Sequence, residues 1–338
     1  MITFLGDVYL PRPFDCEVMF NNYIFNLEHP ITYHEDGYPG KVNLKAEREH
    51  ITKTFTTKPL AANIANNHIL DYGHRGIEDT LDNLRKIGIE VFGAGPADCN
   101  HNNPAVVTID NHEIGLLGYL TPTLSRKDYS DDQDWIAIAT PDRLTKDIID
   151  LKQRGVDRIV VQVHGGSEDV HFPTMEQIRL GRSAAELGAD LVLGHHSHCI
   201  QPWERYNDTP IFYGLGNCIM PSVSVPSYFD ESGEPTETFE KPQHWWNRKS
   251  LGIKYDPDRD TIEKSYFHFD QSLNEVNSNI SSAIRADVFR TIPNNYLSNV
   301  HTTSYIYGFL RKELMNYIHD PTVITPRSLR DMFRRIKN

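Results

Sequence analysis

Three apolar runs of this 338-residue chain stop on an imidazole or a carboxylate. ITFLGDV at 2–8 carries Asp7, RIVVQVHGG at 158–166 reaches His164, and ADLVLGHHSH at 189–198 ends in His195, His196 and His198. Amphipathic helical patterns lie between such runs, and this alternation of short apolar runs with 3.6-residue periodicity predicts an α/β domain. Open α/β sheets bind ligands beyond the carboxyl ends of their strands. The recurrence therefore predicts a sheet that collects ionisable groups along one rim.

The remaining elements follow from the same pattern. Residues 44–65 read as a helix running into the short strand AANIA, and GIEDTLDNLRKIG at 76–88 as a second helix, followed by the strand and turn EVFGAG. PDRLTKDIIDLKQRG at 141–155 is a helix closed by Gly155, and MEQIRLGRSAAELG is another. Two β-rich runs flank Asp110-Asn111 in AVVTIDNHEIGLLGYL, a hairpin signal. LGIKYDPDRDTIEKSYFHFD predicts a second hairpin that turns near 257–260.

The segment 222–248 loses periodicity and gains Pro, Ser and Glu, which predicts a long loop. It is either a lid carrying Tyr228, Phe229, Trp245 and Trp246 or a plain surface insertion. From about 271 to 338 the chain reads as helical and ends in the basic run RSLRDMFRRIKN, whose charge suits a solvated helix end. The expected organisation is one domain over 1–270 containing the 222–248 loop, and a helical extension over 271–338.

Lys plus Arg number 34 against 46 Asp plus Glu, a net charge of -12, which argues against nucleic acid or an anionic membrane surface as the main partner. A bound metal cluster reverses the field locally, so a phosphorylated ligand stays open. Cys16, Cys99, Cys199 and Cys218 form no C-x-x-C pair and read as reduced thiols. MITFLGDVYL has neither a basic region nor a long apolar core, and no run of ~18 apolar residues follows. The expectation is a soluble, cytoplasmic chain with no membrane span, its oligomeric state open.

A pair of hard divalent cations needs carboxylates and imidazoles from several strand ends. The chain offers Asp7, Glu28 in FNLEHP, Asn67 and His68, His164, and His196 with His198. Taken singly, each has a structural reading as a turn residue, a solvated acid or a hydrogen-bonded histidine. GHHSH is different, because packing hardly explains three imidazoles in four residues; alternation in an extended chain points His196 and His198 to one side. In NNHILDYG, Asp71 either holds the His68 ring in one tautomer or caps the helix that follows, and Asn66 reads as a loop-stabilising group. Asn217 in GLGN could hold a ligand histidine, with glycines letting backbone come close. Arg12, Arg75 and Arg248 are candidate anion contacts or plain surface charges.

The ordered set LGDV, NLEHPIT, ANNHILDYG, GIEVFGAG, VHGGSE and LGHHSHCIQPWERYNDTPIFYGLGN resembles the poly-γ-glutamate capsule biosynthesis (CapA-like) family of the calcineurin-like metallophosphatase superfamily. The resemblance runs in order over about 2–219 and implies a four-layer α/β/β/α sandwich with two divalent metal ions, Mn, Fe or Zn, at the strand ends. It assigns Asp7 and His198 to one metal, Asn67, His164 and His196 to the other, and Glu28 to the bridge. It implies a phosphoesterase-type hydrolase acting in the synthesis or modification of a capsular or other surface polymer. A metal-bridging hydroxide would be the nucleophile and His68 the acid or charge stabiliser. The substrate would be a phosphorylated or polyanionic small molecule or polymer. The alternative is a non-hydrolytic polymer-assembly component whose metal site binds substrate or a partner. Two positions depart from the superfamily pattern: Tyr9 stands where Asp-x-His has its histidine, and Glu28 replaces an aspartate. Glu168 and His195 are spare groups within reach of the same region, and either could complete the shell.

Overall fold

A computed structural model describes residues 1–277 apart from 17, 97–101, 126–132, 231, 233 and 271–274. The first part of the chain forms β1 (Ile2–Val8), β2 (Asp15–Cys16), β3 (Tyr23–Leu27), α1 (Arg48–Thr54), β4 (Ala61–Asn63), α2 (Gly73–Lys86) and β5 (Glu90–Phe92). Next come β6 (Ala105–Ile109), β7 (His112–Leu120), α3 (Pro141–Arg154), β8 (Arg158–His164), α4 (Met175–Leu187) and β9 (Leu191–His195). The last part adds β10 (Trp203–Tyr206), β11 (Thr209–Phe212), β12 (Asn217–Ile219), β13 (Val223–Phe229), β14 (Pro235–Lys241), β15 (Lys249–Asp256), β16 (Thr261–Asp270) and β17 (Glu275–Asn277).

Local chemistry explains the boundaries. Thr140 accepts from the Arg143 amide to start α3, with Pro141 in its first turn, and Gly155 at φ 81° closes it. Thr174 and Gln177 form a capping box for α4, which ends on Gly188 at φ 92°. Asp110 and Asn111 have φ of 50° and 69°, the double left-handed turn that a tight β6–β7 hairpin requires.

Among the described residues the strands form two large sheets and one separate hairpin. The first sheet runs β2-β17-β16-β15-β1-β3-β4-β5, with β12 beside the end of β1; the second runs β10-β11-β9-β8-β7-β6. Ile2, Phe4, Ile24 and Ala61 of the first sheet pack with Val107, Leu116, Val160, Leu191 and Leu193 of the second in one buried cluster between the sheets. On the far side of the second sheet, Val161 and Val192 pack on Leu144, Ile148 and Leu151 of α3 and on Ile178 and Ala184 of α4. On the far side of the first, Phe25 and Ala62 pack on Ile51 of α1 and on Ile77, Leu81 and Leu84 of α2. These clusters make the α/β/β/α layering that the resemblance implies.

One irregularity sets the phase of β1. Phe4 pairs with Ile24 but Asp7 with Asn26, so β1 holds one extra residue. Because side chains alternate with period two, that bulge turns Asp7 onto the face shared by Phe4, toward the other sheet. Gly6 sits at the bulge, where an added Cβ would lie 1.9 Å from the Gly216 carbonyl oxygen, so only glycine lets β12 close in on Asp7.

The 222–248 segment is not a loop. Residues 223–229 and 235–241 form the antiparallel β13–β14 hairpin. Alternation exists in β13, where Val223 and Ser227 are buried while Ser224 and Pro226 are exposed, but Pro226 and the largely exposed β14 hide it from a periodicity reading. Of the helical extension expected over 271–338, only Glu275–Asn277 are described, and they form a strand between β16 and β2; the rest lies outside the described residues. Cys16, Cys199 and Cys218 are free thiols. Among the described residues no helix is long and apolar enough to cross a membrane.

Candidate metal centre

Toward the carboxyl ends of the strands, the inter-sheet face changes from apolar to polar. On β3 the inward series runs from Ile24 to Asn26 and on to Glu28, and on β4 from Ala61 to Asn63. On β8 it runs from Val160 through Gln162 to His164, and on β9 from Leu191 and Leu193 to His195. With the bulge supplying Asp7, both sheets empty ionisable groups into one buried space.

Two groupings meet there. In the first, His164 Nε2 lies 2.8 Å from Asn67 Oδ1, 3.1 Å from His196 Nδ1 and 3.4 Å from Glu28 Oε1. The ligand atoms of Glu28, His164 and His196 all fall within 4.8 Å of one another, and all three residues are buried. In the second, Asp7 Oδ2 is 3.3 Å from His198 Nδ1, and Asp7 Oδ1 is 3.2 Å from His195 Nδ1. Asn26 Nδ2 joins the two by donating to Asp7 Oδ1 at 2.9 Å and Glu28 Oε2 at 2.6 Å, and Asn63 in turn donates to Asn26.

His196 and His198 do converge on the centre, but not by strand alternation. They follow the end of β9 with φ of 84° and 53°, a left-handed backbone that side-chain-bearing residues adopt at a cost of ~1–3 kcal/mol and that clusters at functional sites. His198 Nδ1 also meets Asn217 Oδ1 at 2.9 Å, the contact foreseen for GLGN, and Gly216 reaches it at φ 72°.

The protonation states suit a cation. Burial pushes His164 well below its ordinary pKa and His196 down to about 4, so both imidazoles are neutral and carry lone pairs. Burial, then the charges of Asp7 and Glu168, pushes the Glu28 carboxyl up, and its Oε1 has no hydrogen-bond partner. Burial acts to raise Asp7, but hydrogen bonds with His195 and His198 outweigh it and hold the carboxyl well below its usual range. An unpartnered carboxylate oxygen, neutral imidazoles and an amide oxygen form a donor set that fits a divalent ion such as Mn, Fe or Zn.

Stability should therefore depend on pH. His29, His164 and His196 all have depressed folded pKa values, so the unfolded chain takes up their protons first as pH falls below 6.5. Glu28, raised on folding, opposes them with one proton. The metal-free protein should lose about 1.4 kcal/mol per pH unit for each net proton between pH 6.5 and about 4. Thermal melts across that range would show it, and a midpoint that does not move overturns this account.

His68 lines the cleft above the centre. Its Nδ1 lies 2.8 Å from Asp71 Oδ2, so of the two roles open to Asp71 the side chain takes the orienting one; α2 has no side-chain cap. The same buried carboxylate accepts the Leu44 amide at 2.6 Å and pairs with Lys41, which also donates to the Asn67 carbonyl at 2.9 Å. Asn66 braces the loop through Leu27 and the His68 amide. Tyr9 points away, into an apolar cluster with Leu44, Met220 and Val223.

Other expectations shift. Glu168 pairs with Lys241, whose charge, acting against burial, holds the carboxyl far below its ordinary value. Among the described residues none of Arg12, Arg75 and Arg248 lines the cleft, and the cations that do are Lys41 and Lys241; Arg75 pairs with Asp36 at the surface. Tyr228 lines it, whereas Trp246 is buried beside His244, and Trp245 stands exposed under Lys249. Sequence reasoning missed Asn26, Lys41 and Lys241. Asn26 had a signal, a polar residue inside the apolar run YIFNL; the lysines had none.

The sequence profile described as "Bacterial capsule synthesis protein PGA_cap" matches residues 21–222, well over half of the chain. The chain belongs to that family. The PGA biosynthesis protein CapA of Bacillus subtilis (strain 168) is 30% identical over 199 residues, 58% of this chain and 52% of that protein. The capsule biosynthesis protein CapA of Bacillus anthracis is 28% identical over 202 residues, 58% of this chain and 49% of that protein. This PGA_cap member thus spans about half the length of the curated relatives it matches. Among solved structures, a putative 5′-nucleotidase from Staphylococcus aureus aligns with a TM-score of 0.43 and 13% identity over 83% of this chain and 55% of that one. The β13–β14 hairpin begins just past the segment shared with the family.

Proposed function

We propose that this chain is a metal-dependent hydrolase of phosphate esters, acting in the synthesis or modification of a capsular or other surface polymer. The observation that carries the reading is the buried grouping of Glu28, His164 and His196 within 4.8 Å, with Asn67 on one side and Asp7 and His198 on the other. Asn67, His164 and His196 would hold one divalent ion, Asp7 and His198 a second, with Glu28 between them. When bound, such ions neutralise phosphoryl charge and acidify water.

The chain's own residues supply the rest. Asn26 keeps the Asp7 and Glu28 carboxylates side by side despite their like charge. Asp71 engages His68 Nδ1, which leaves Nε2 to carry the proton given to the leaving oxygen. Lys41 holds both the Asp71 carboxylate and the backbone of Asn67, so one ammonium ties the acid's support to the ligand's loop.

The test begins with metal content and hydrolysis of p-nitrophenyl and bis-p-nitrophenyl phosphate after loading with Mn, Fe or Zn. Absence of both retained metal and turnover overturns the reading. His68→Ala should keep its metal and lose roughly 10²-fold in turnover on an alkyl phosphate, whose leaving oxygen needs a proton. The loss should be smaller on p-nitrophenyl phosphate, and equal turnover by both proteins on both esters would reduce His68 to a structural role.

The names of the Bacillus relatives, PGA biosynthesis and capsule biosynthesis proteins, favour a second reading as a non-hydrolytic assembly component. Retained metal, no turnover on any ester and tight binding of poly-γ-glutamate would select it.

A further inference from the structure

We propose that the cleft selects a substrate with a single anionic group on an uncharged, largely apolar body, and that the β13–β14 hairpin makes the selection. This rests on the reading of the centre as a site for phosphate-type anions. The cleft holds about 310 Å³ and has two unlike walls. One wall is the centre itself, presenting Glu28, Asn67, His68, His196 and His198. The other is apolar, formed by Val42, Leu44, Met220, Val223 and Phe239.

Charge accounting decides what this second wall admits. The two lysines lining the cleft are both compensated. Lys41 pairs with Asp71, which is wholly buried, and Lys241 pairs with Glu168 and lies 3.9 Å from Asp169. Among the described lining residues no cation is left uncompensated to meet a second anionic group, and the chain as a whole carries -12. A polyanion threading past the centre would set its next charges against apolar side chains and satisfied ion pairs, an unfavourable desolvation. An aryl or alkyl body would instead bury apolar surface there.

The apolar wall is fixed in place. Val42 bridges to Ser227, the Tyr228 amide donates to the Lys41 carbonyl at 3.0 Å, and Lys241 ties the far strand of the hairpin to Glu168. Val223 lies across from Lys241 and Val225 from Phe239, so one face of the hairpin meets Tyr9, Leu44 and Met220. Val223 and Phe239 of the wall come from the hairpin, past the segment matched to the family, while Val42, Leu44 and Met220 lie within that segment.

The experiment is calorimetric titration of the metal-loaded full chain with methylphosphonate, phenylphosphonate and a γ-glutamate oligomer, none of which needs to be turned over. Phenylphosphonate should bind roughly 10-fold or more tighter than methylphosphonate, as expected for burying a ring against an apolar wall. The oligomer should not displace it. Phe239→Ala should bring the phenyl-to-methyl ratio toward one, and Phe239→Leu should restore most of it; metal content and thermal midpoint identify any variant that fails to fold. Equal binding of the two phosphonates, tighter binding of the oligomer, or an unchanged ratio in a folded Phe239→Ala overturns the proposal. Hydrolysis of esters without a phenyl preference removes this proposal and leaves the hydrolase reading. A phenyl preference without turnover on any ester does the reverse.

Discussion

His196→Ala should leave the purified protein without its full metal complement and lower turnover by more than ~10²-fold, since even outer-sphere substitutions cost 10–100-fold in metal affinity. The expectation comes from position: His196 Nδ1 is 3.1 Å from His164 Nε2, and the ring is neutral and buried. Alanine at φ 84° is also strained, so stability and ligation must be separated. His196→Gly does this, because glycine tolerates a left-handed backbone and carries no ligand atom. If the glycine variant stays folded yet loses metal after dialysis, His196 is a ligand. If it keeps the parent's metal stoichiometry, the ligand set proposed here is wrong.

Asp71→Ala should destabilise the fold by about 3–5 kcal/mol as well as slow turnover. The carboxylate is fully buried and serves His68, the Leu44 amide and Lys41 together. Its removal strands an ammonium only 7% exposed and leaves a buried amide without its acceptor. Lys41→Met in the same chain should recover part of the stability by removing the stranded charge, but not the turnover, which needs His68 held. Urea unfolding of the four members of this cycle gives the coupling directly; a stability loss below 1 kcal/mol for Asp71→Ala would sink the buried-pair account.

The contrast between Asp71 and the GHHSH run shows what the sequence made legible. Strand ends could be read because the apolar runs of β8 and β9 stop at His164 and His195, and helix ends because Thr140, Thr174, Gly155 and Gly188 are local signals. The role of Asp71 could not be read. Its partner Lys41 sits 30 residues upstream in an irregular segment, and only tertiary structure joins them. The one-residue bulge that turns Asp7 inward was equally hidden, since LGDV reads the same with or without it. The chemistry of His196 and His198 is legible in GHHSH but their backbone is not; left-handed histidines answer to the demands of the site, not to local propensity. The hairpin failed for the opposite reason, its inward positions being too few against the Pro, Ser and Glu around them.

The proposed ligands do not come from one layer. Asp7, Glu28 and Asn67 lie on or just after strands of one sheet, and His164, His196 and His198 on or just after strands of the other. A cation held by both sets works as a rivet between the layers, adding about 2.7 kcal/mol to folding when its free concentration is 100 times its Kd. Linkage is reciprocal. A cavity cut among Ile2, Phe4, Val160 and Leu193, in the apolar layer between the sheets, would loosen the grip on metal by the same free energy with which metal resists the loosening. In such a protein the apolar core is part of the affinity for the ion.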